Sequence, residues 1–254
     1  MTRPAQSAAT PRPIAAPSSP GAAEIAPRAA RGRRPARDRA LRGAFQASGL
    51  DDFPVLIVPG LNNSGEAHWQ SCWQRALPNA ERVEQADWRR PDLDAWMESL
   101  AQAVARRPGA LLAAHSLGCV LVAHLARTHR RLPIAGALLV APADVDREGP
   151  AGRLLESFGP APRRRLPFPA TVVASRNDPY MSYATAEGLA RAWGAALVDL
   201  GRAGHVNVES GHGPWPEGLT VLEQLARRAA PPRRTASSRS STVDELHKAA
   251  AAWR

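Results

Sequence analysis

Between Phe53 and Ala229, short apolar runs rich in β-branched residues alternate with longer stretches whose apolar residues recur every three or four positions. That alternation constrains the fold more than any other feature of the chain. Strands separated by helices run parallel, and a parallel sheet needs helices over both of its faces. Strands are predicted over residues 53–58, weakly over 82–85, and then over 110–114, 134–140, 171–174 and 196–200. Helices are predicted over 66–77, 92–106, 117–128, 181–193 and 218–229. The expectation is a compact α/β domain with a mostly parallel central sheet of about six strands and helices on both faces.

Within the predicted helices, Trp69 and Trp73 stand four residues apart, and Leu93, Trp96, Met97, Leu100 and Val104 follow one buried face. These aromatics are read as core. Asp92 after Pro91 is a natural N-cap, and Pro108-Gly109 ends the helix before the next strand. Residues 141–169 form a long βα connection rich in Pro, Gly and Arg, with an apolar patch at Leu154, Leu155 and Phe158. A small cap over a site and a surface loop with one short helix are both open readings of it.

Outside this region the composition changes. Residues 1–50 are Ala/Pro/Arg/Ser-rich and hold nine arginines against Glu24 and Asp38, while the stretch from Arg227 carries seven basic residues against Asp244 and Glu245. Of the net +10, the middle of the chain retains about −2, so the basic balance belongs to the ends. Too little apolar surface lies there to offset the entropy of ordering. Residues 1–50 and 231–254 are therefore expected to be disordered tails flanking one domain over 51–230. Arg-rich tails bind polyanions weakly and non-specifically, but the domain itself lacks the charge of a nucleic-acid-binding surface. No run of about 18 apolar residues or secretory h-region is present, so no membrane partner is expected. The N-terminal composition is similar to that of an organellar transit peptide. Two cysteines, Cys72 and Cys119, suit neither a disulfide framework nor a zinc site, and a reducing cytoplasm is the preferred location.

The chemistry-bearing motif is Ala114-His115-Ser116-Leu117-Gly118, lying between a predicted strand and a predicted helix. A serine hydroxyl attacks a carbonyl only if it is exposed, has a base beside it and faces donors for the oxyanion. A small-x-Ser-x-Gly turn supplies the exposure, because small residues on either side let strand and helix pack closely; here Ala114 fills the first small position. The base and its orienting acid should follow in the order Ser, acid, His, each after a later strand. Asp178 follows one such strand and His205 the next. Asp144 and Asp146 are the competing acids, in a segment that also reads as a turn. His212 is a second histidine of that region; His124 and His129 on the following helix take a surface or helix-end role by default.

Oxyanion donors are expected from the N–H of Leu117 and from the Gly-rich loop at 59–65, where Leu61 is the candidate. That loop reads equally as a helix N-cap, with Asn63 or Ser64 capping a helix from Glu66. Asn62, His68, His115 and Trp215 are further candidates for lining a substrate pocket. For His115 a position facing away from the pocket is the alternative, since it neighbours Ser116 on the turn. No metal-ligand spacing or cofactor motif is present, and Gly-x-Gly-x-x-Gly and P-loop patterns are absent after the first strand.

Taken together, Pro-Gly-Leu-Asn-Asn-Ser-Gly-Glu-Ala-His-Trp at 59–69, His-Ser-Leu-Gly at 115–118, Ser-Arg-Asn-Asp-Pro-Tyr at 175–180, Gly-His-Val-Asn at 204–207 and Gly-His-Gly-Pro-Trp-Pro at 211–216 resemble the RBBP9/YdeN family of small serine hydrolases. The resemblance spans roughly residues 53–229. It implies a compact α/β-hydrolase fold and a Ser-Asp-His triad that carries over to Ser116, Asp178 and His205. The basic tails depart from the family pattern. A cofactor-free hydrolase of small carboxylic esters or related acyl compounds is the expectation, preferably a monomer. A catalytically weak hydrolase-fold interaction protein, recruiting through its tails, is the alternative.

Overall fold

The computed structural model describes Gly43 and residues 50–229. The expected tails, 1–50 and 231–254, lie almost wholly outside the described residues. A 3-10 turn at Leu50–Asp52 leads into six strands: β1 (Val55–Val58), β2 (Ala80–Arg82), β3 (Ala110–His115), β4 (Ile134–Val140), β5 (Ala170–Ala174) and β6 (Ala196–Asp199). The helices are α1 (Trp69–Ala76), α2 (Leu93–Arg106), α3 (Leu117–Thr128), α4 (Pro150–Leu154), α5 (Tyr183–Trp193) and α6 (Pro216–Ala229). All strand pairs are parallel, in the order β2-β1-β3-β4-β5-β6.

Alternation along the strands divides the core into two layers. Leu56, Val58, Leu112, Ala114, Leu139 and Val172 face α2, α3 and α5. Val55, Ile57, Leu111, Ala113, Leu138, Val140 and Val173 face α1 and α6. Every residue of β1, β3 and β5 is buried, which is why these strands read as continuous apolar runs. β2 and β6 are sheet edges and half-exposed. That is the reason β2 carries a polar sequence, and the strand lies at Ala80–Arg82 rather than at 82–85 as predicted.

Helix ends follow capping chemistry. The Asp92 carboxylate accepts from the Ala95 N–H at 2.9 Å and starts α2, as predicted. The first helix differs: α1 begins at Trp69 and is capped by His68, whose Nδ1 accepts from the Gln70 N–H at 3.2 Å. Asn63 and Ser64 do not cap it, because residues 60–68 are spent crossing from β1 to the face of the sheet. Among the described residues, no helix is long and apolar enough to cross a membrane.

The strand order reverses beside β1, so the segments leaving β1 and β3 part company at their carboxyl ends and open a crevice there. Gln70, fully buried, bridges that divide: its side-chain amide donates to the Val58 carbonyl at 3.1 Å and to the Ala113 carbonyl at 2.8 Å. Its own carbonyl accepts from the Ser64 hydroxyl at 2.6 Å. Residues 59–65, Ser116, the segment after Val140, and the loops bearing Asp178 and His205 all gather at this end of the sheet.

Candidate active site

Ser116 leaves β3 with φ 55° and ψ −121°, a conformation that L-residues avoid and that turns its side chain out of the sheet. The surroundings permit the turn only because glycines lie on two sides of it. A Cβ on Gly60 would stand 2.9 Å from both the Leu117 nitrogen and the Ser116 Cβ. A Cβ on Gly118 would collide with the Val58 carbonyl and stand 2.7 Å from that of Pro59. Ala114 takes the first small position without conflict, wholly buried in β3.

Ser116 Oγ and His205 Nε2 are 3.0 Å apart. His205 Nδ1 lies 2.8 and 3.0 Å from the two oxygens of Asp178. A carboxylate only accepts, so Nδ1 carries the ring proton and Nε2 is left to accept from the serine hydroxyl. The Asp178 and His205 side chains are 2% and 8% exposed, so the hydrogen bonds between them are shielded from competing water. The loops that present them are tied together. Asn177 Oδ1 accepts from the Gly204 N–H at 2.9 Å, Ser175 Oγ from the Ala203 N–H at 3.0 Å, and the Asp178 carboxylate from the Tyr180 N–H at 2.8 Å.

A cavity of about 410 Å³ opens over Ser116. Leu61, Leu117, Asn62, His68 and His115 all line it, together with Asn207 and Tyr180. Among the described residues, neither the Leu61 nor the Leu117 N–H meets an acceptor, and Gly60 brings their two loops into contact. The segment after β4 forms one wall through Ala143, Asp144, Arg147, Leu154 and Leu155. Phe158 anchors that wall, fully buried with its ring edge-on to Trp96 at 5.6 Å. Residues 141–169 thus hold one short helix, α4, followed by a 3-10 turn at Glu156–Phe158, and also supply this wall of the cavity. Asp144 lines the cavity without reaching His205, and Asp146 accepts from the Ala161 N–H at 3.1 Å.

Two sequence expectations are corrected, for Trp215 and His124, and of the two readings of His115 the structure shows the one that lines the cavity. Trp215 does not line the cavity; it is buried beneath it, 5.3 Å from Trp69 and stacked on Trp73 at 6.0 Å. His124 is neither at the surface nor at a helix end: it is buried and its Nε2–H donates to the Phe158 carbonyl at 2.9 Å. His115 does not face away from the site, because the unusual backbone at Ser116 breaks simple alternation. It is buried with Nε2–H donating to the His205 carbonyl at 2.9 Å, the two rings 4.8 Å apart. Burial, and next the nearby His68, hold its pKa well below the ordinary histidine range, so it stays neutral.

His68 is pushed down to about 3, first by burial and next by the charge of Arg82. Its Nδ1 accepts, so its proton sits on Nε2, which has no partner among the described residues. Sequence reasoning missed Arg82 altogether. It donates to Gln74, Asn63, Ser71 and the Ser64 carbonyl, all neutral, and so fastens residues 63–64 to α1. Its place on a weak edge strand gave no signal.

Comparison with known proteins identifies the family and the fold. The family model described as serine hydrolase matches residues 55–224. A YdeN-like hydrolase from Pectobacterium atrosepticum is 33% identical, with a TM-score of 0.67 over 76% of this chain and 100% of its own. The ydeN gene product of Bacillus subtilis is 22% identical, TM-score 0.57, over 67% of this chain and 97% of its own. Est1E from Butyrivibrio proteoclasticus, solved with ferulic acid bound, shares the fold at 14% identity and TM-score 0.53, over 67% of this chain and 86% of its own. No curated protein sequence matches. The chain thus belongs to the serine hydrolase family, among the YdeN-like α/β-hydrolases.

Proposed function

We propose that this hydrolase cleaves small carboxylic esters or related acyl compounds with Ser116 as nucleophile, His205 as general base and acid, and Asp178 as the group that orients the imidazole. The observation that carries the reading is the unbroken hydrogen-bonded line from Asp178 through His205 to Ser116, at 2.8 and 3.0 Å. Ser116 Oγ attacks the carbonyl carbon while His205 Nε2 takes its proton, and the N–H groups of Leu61 and Leu117 receive the oxyanion. Collapse of the tetrahedral species expels the alcohol, which takes the proton from His205. Water, deprotonated by His205, then attacks the acyl-enzyme, and the acid leaves as Ser116 regains its proton. Asp178 stabilises the imidazolium that appears in both steps.

This donor set needs no metal or cofactor. We infer a small-molecule substrate, a monomeric protein and a cytoplasmic setting, in keeping with the buried thiols of Cys72 and Cys119. A fluorophosphonate probe is expected to label the full 254-residue chain and to leave Ser116→Ala unlabelled. Equal labelling of both would refute the assignment.

A further inference from the structure

Three large apolar side chains are notably exposed among the described residues: Leu154 at 44%, Tyr180 at 48% and Val208 at 48%. Scattered singly over a surface they would need no explanation. They are not scattered. Leu154 and Tyr180, both exposed, line the cavity above Ser116, and Val208 stands between Asn207 and Glu209, which line it too. Leu154 and Tyr180 come from the separate segments that follow β4 and β5, and Asn207 and Glu209 from the one that follows β6, so no local sequence preference explains their sharing one cavity. Leu61, Leu117 and Leu155 line the same cavity, the last two of them buried, so the apolar tract of its lining includes Leu117 beside Ser116 and the exposed Leu154 and Tyr180.

On the hydrolase reading above, we propose that this tract is the binding site for a linear apolar chain, and that the substrate class is neutral esters carrying an alkyl or acyl chain of several methylenes. The charged members of the lining are Asp144, Glu209 and Arg147, a net negative set that disfavours an anionic tail. A cavity of 410 Å³ falls within the size range of small-molecule sites, which span about 300–1,000 Å³. A chain lying in it removes from water both itself and the exposed faces of Leu154 and Tyr180.

The test uses the full 254-residue chain with p-nitrophenyl acetate, butyrate, hexanoate and octanoate, which lengthen the acyl side, and with ethyl, butyl and hexyl acetate, which lengthen the alcohol side. Burial against a half-open wall predicts that kcat/KM rises about twofold for each methylene in one of the two series. The series that rises tells which side of the ester the tract holds. Leu154→Ser is expected to lower the octanoate-to-acetate ratio, or its alcohol-side equivalent, several-fold, and Leu154→Met to keep it. A ratio within one protein is insensitive to a general loss of activity. Flat or falling profiles in both series overturn the tract, as does a rise that Leu154→Ser leaves intact. A dimer in solution that Leu154→Ser dissolves, with the ratios unchanged, reassigns the exposed side chains to self-association and overturns it equally. No turnover of any ester together with no fluorophosphonate labelling removes the hydrolase reading beneath it, and the tract with it.

Discussion

Removing the His115 imidazole should cost turnover rather than binding. His205 sits on a loop whose next residue, Val206, holds φ at 48°, an unfavourable state for a β-branched side chain worth about 1–3 kcal/mol. Two buried donors restrain that loop: His115 Nε2–H on the His205 carbonyl at 2.9 Å, and Trp69 Nε1–H on the Val206 carbonyl at 3.1 Å. His115→Phe deletes the first and leaves a shielded carbonyl without a donor, at about 1–3 kcal/mol. If about 2 kcal/mol of that restraint goes into holding His205 against Ser116, the competent fraction falls roughly thirtyfold. The expected outcome is a 10- to 30-fold lower kcat on p-nitrophenyl acetate with little change in KM, and slower fluorophosphonate labelling in proportion. His115→Gln, which keeps a donor, should recover part of the loss. Trp69→Phe removes the neighbouring bond without touching the turn at Ser116, and its effect should not add simply to that of His115→Phe. A kcat within twofold of wild type in His115→Phe, with a lowered melting temperature, would show that the bond serves only the fold.

Two further outcomes follow from the packing around the site. His68, at about 3, and His115, well below its ordinary range, both stay neutral in the folded chain, whereas in the unfolded chain they titrate near 6.5. The unfolded state therefore binds more protons below pH 6.5, and stability present above that pH drains away as pH falls toward 3. The slope is up to about 1.4 kcal/mol per pH unit for each histidine, and melting temperatures of His68→Asn should fall less steeply between pH 7 and 4 than those of wild type. Gly118→Ala forces a methyl group into the backbone carbonyls of Val58 and Pro59, which cannot give way as a side chain would. A loss of about 1–3 kcal/mol is expected, lowering the melting temperature by roughly 2–4 °C per kcal/mol, and wild-type melting would contradict the close contact of strand and helix.

Central strands and the order serine, acid, histidine were legible in the sequence because both follow from local pattern: continuous apolar runs for buried strands, and loops placed after them. What escaped notice depends on contacts between distant segments. Arg82 fastens the loop after β1 from an edge strand whose sequence is polar, and nothing near it in sequence announces that task. The alternative in which His115 faces away from the pocket rests on alternation, which fails where φ becomes positive. Trp215 belongs to a motif beside the site, yet its ring is drawn under the floor by Trp69 and Trp73, a packing that only the assembled helix and loop define.

β6 is a half-exposed edge strand, and His205, the base in the proposed reaction, hangs from its far end. An edge strand pairs on one side only, so it is a natural place for local opening at a free energy below that of global unfolding. His205 consequently owes its position less to the sheet than to the tryptophan and histidine that grip its loop from α1 and β3. Under mild heat or denaturant, activity should disappear while the central strands still protect their amides from exchange, so the half-life of the enzyme as a catalyst is governed by one seam of the molecule and not by the whole.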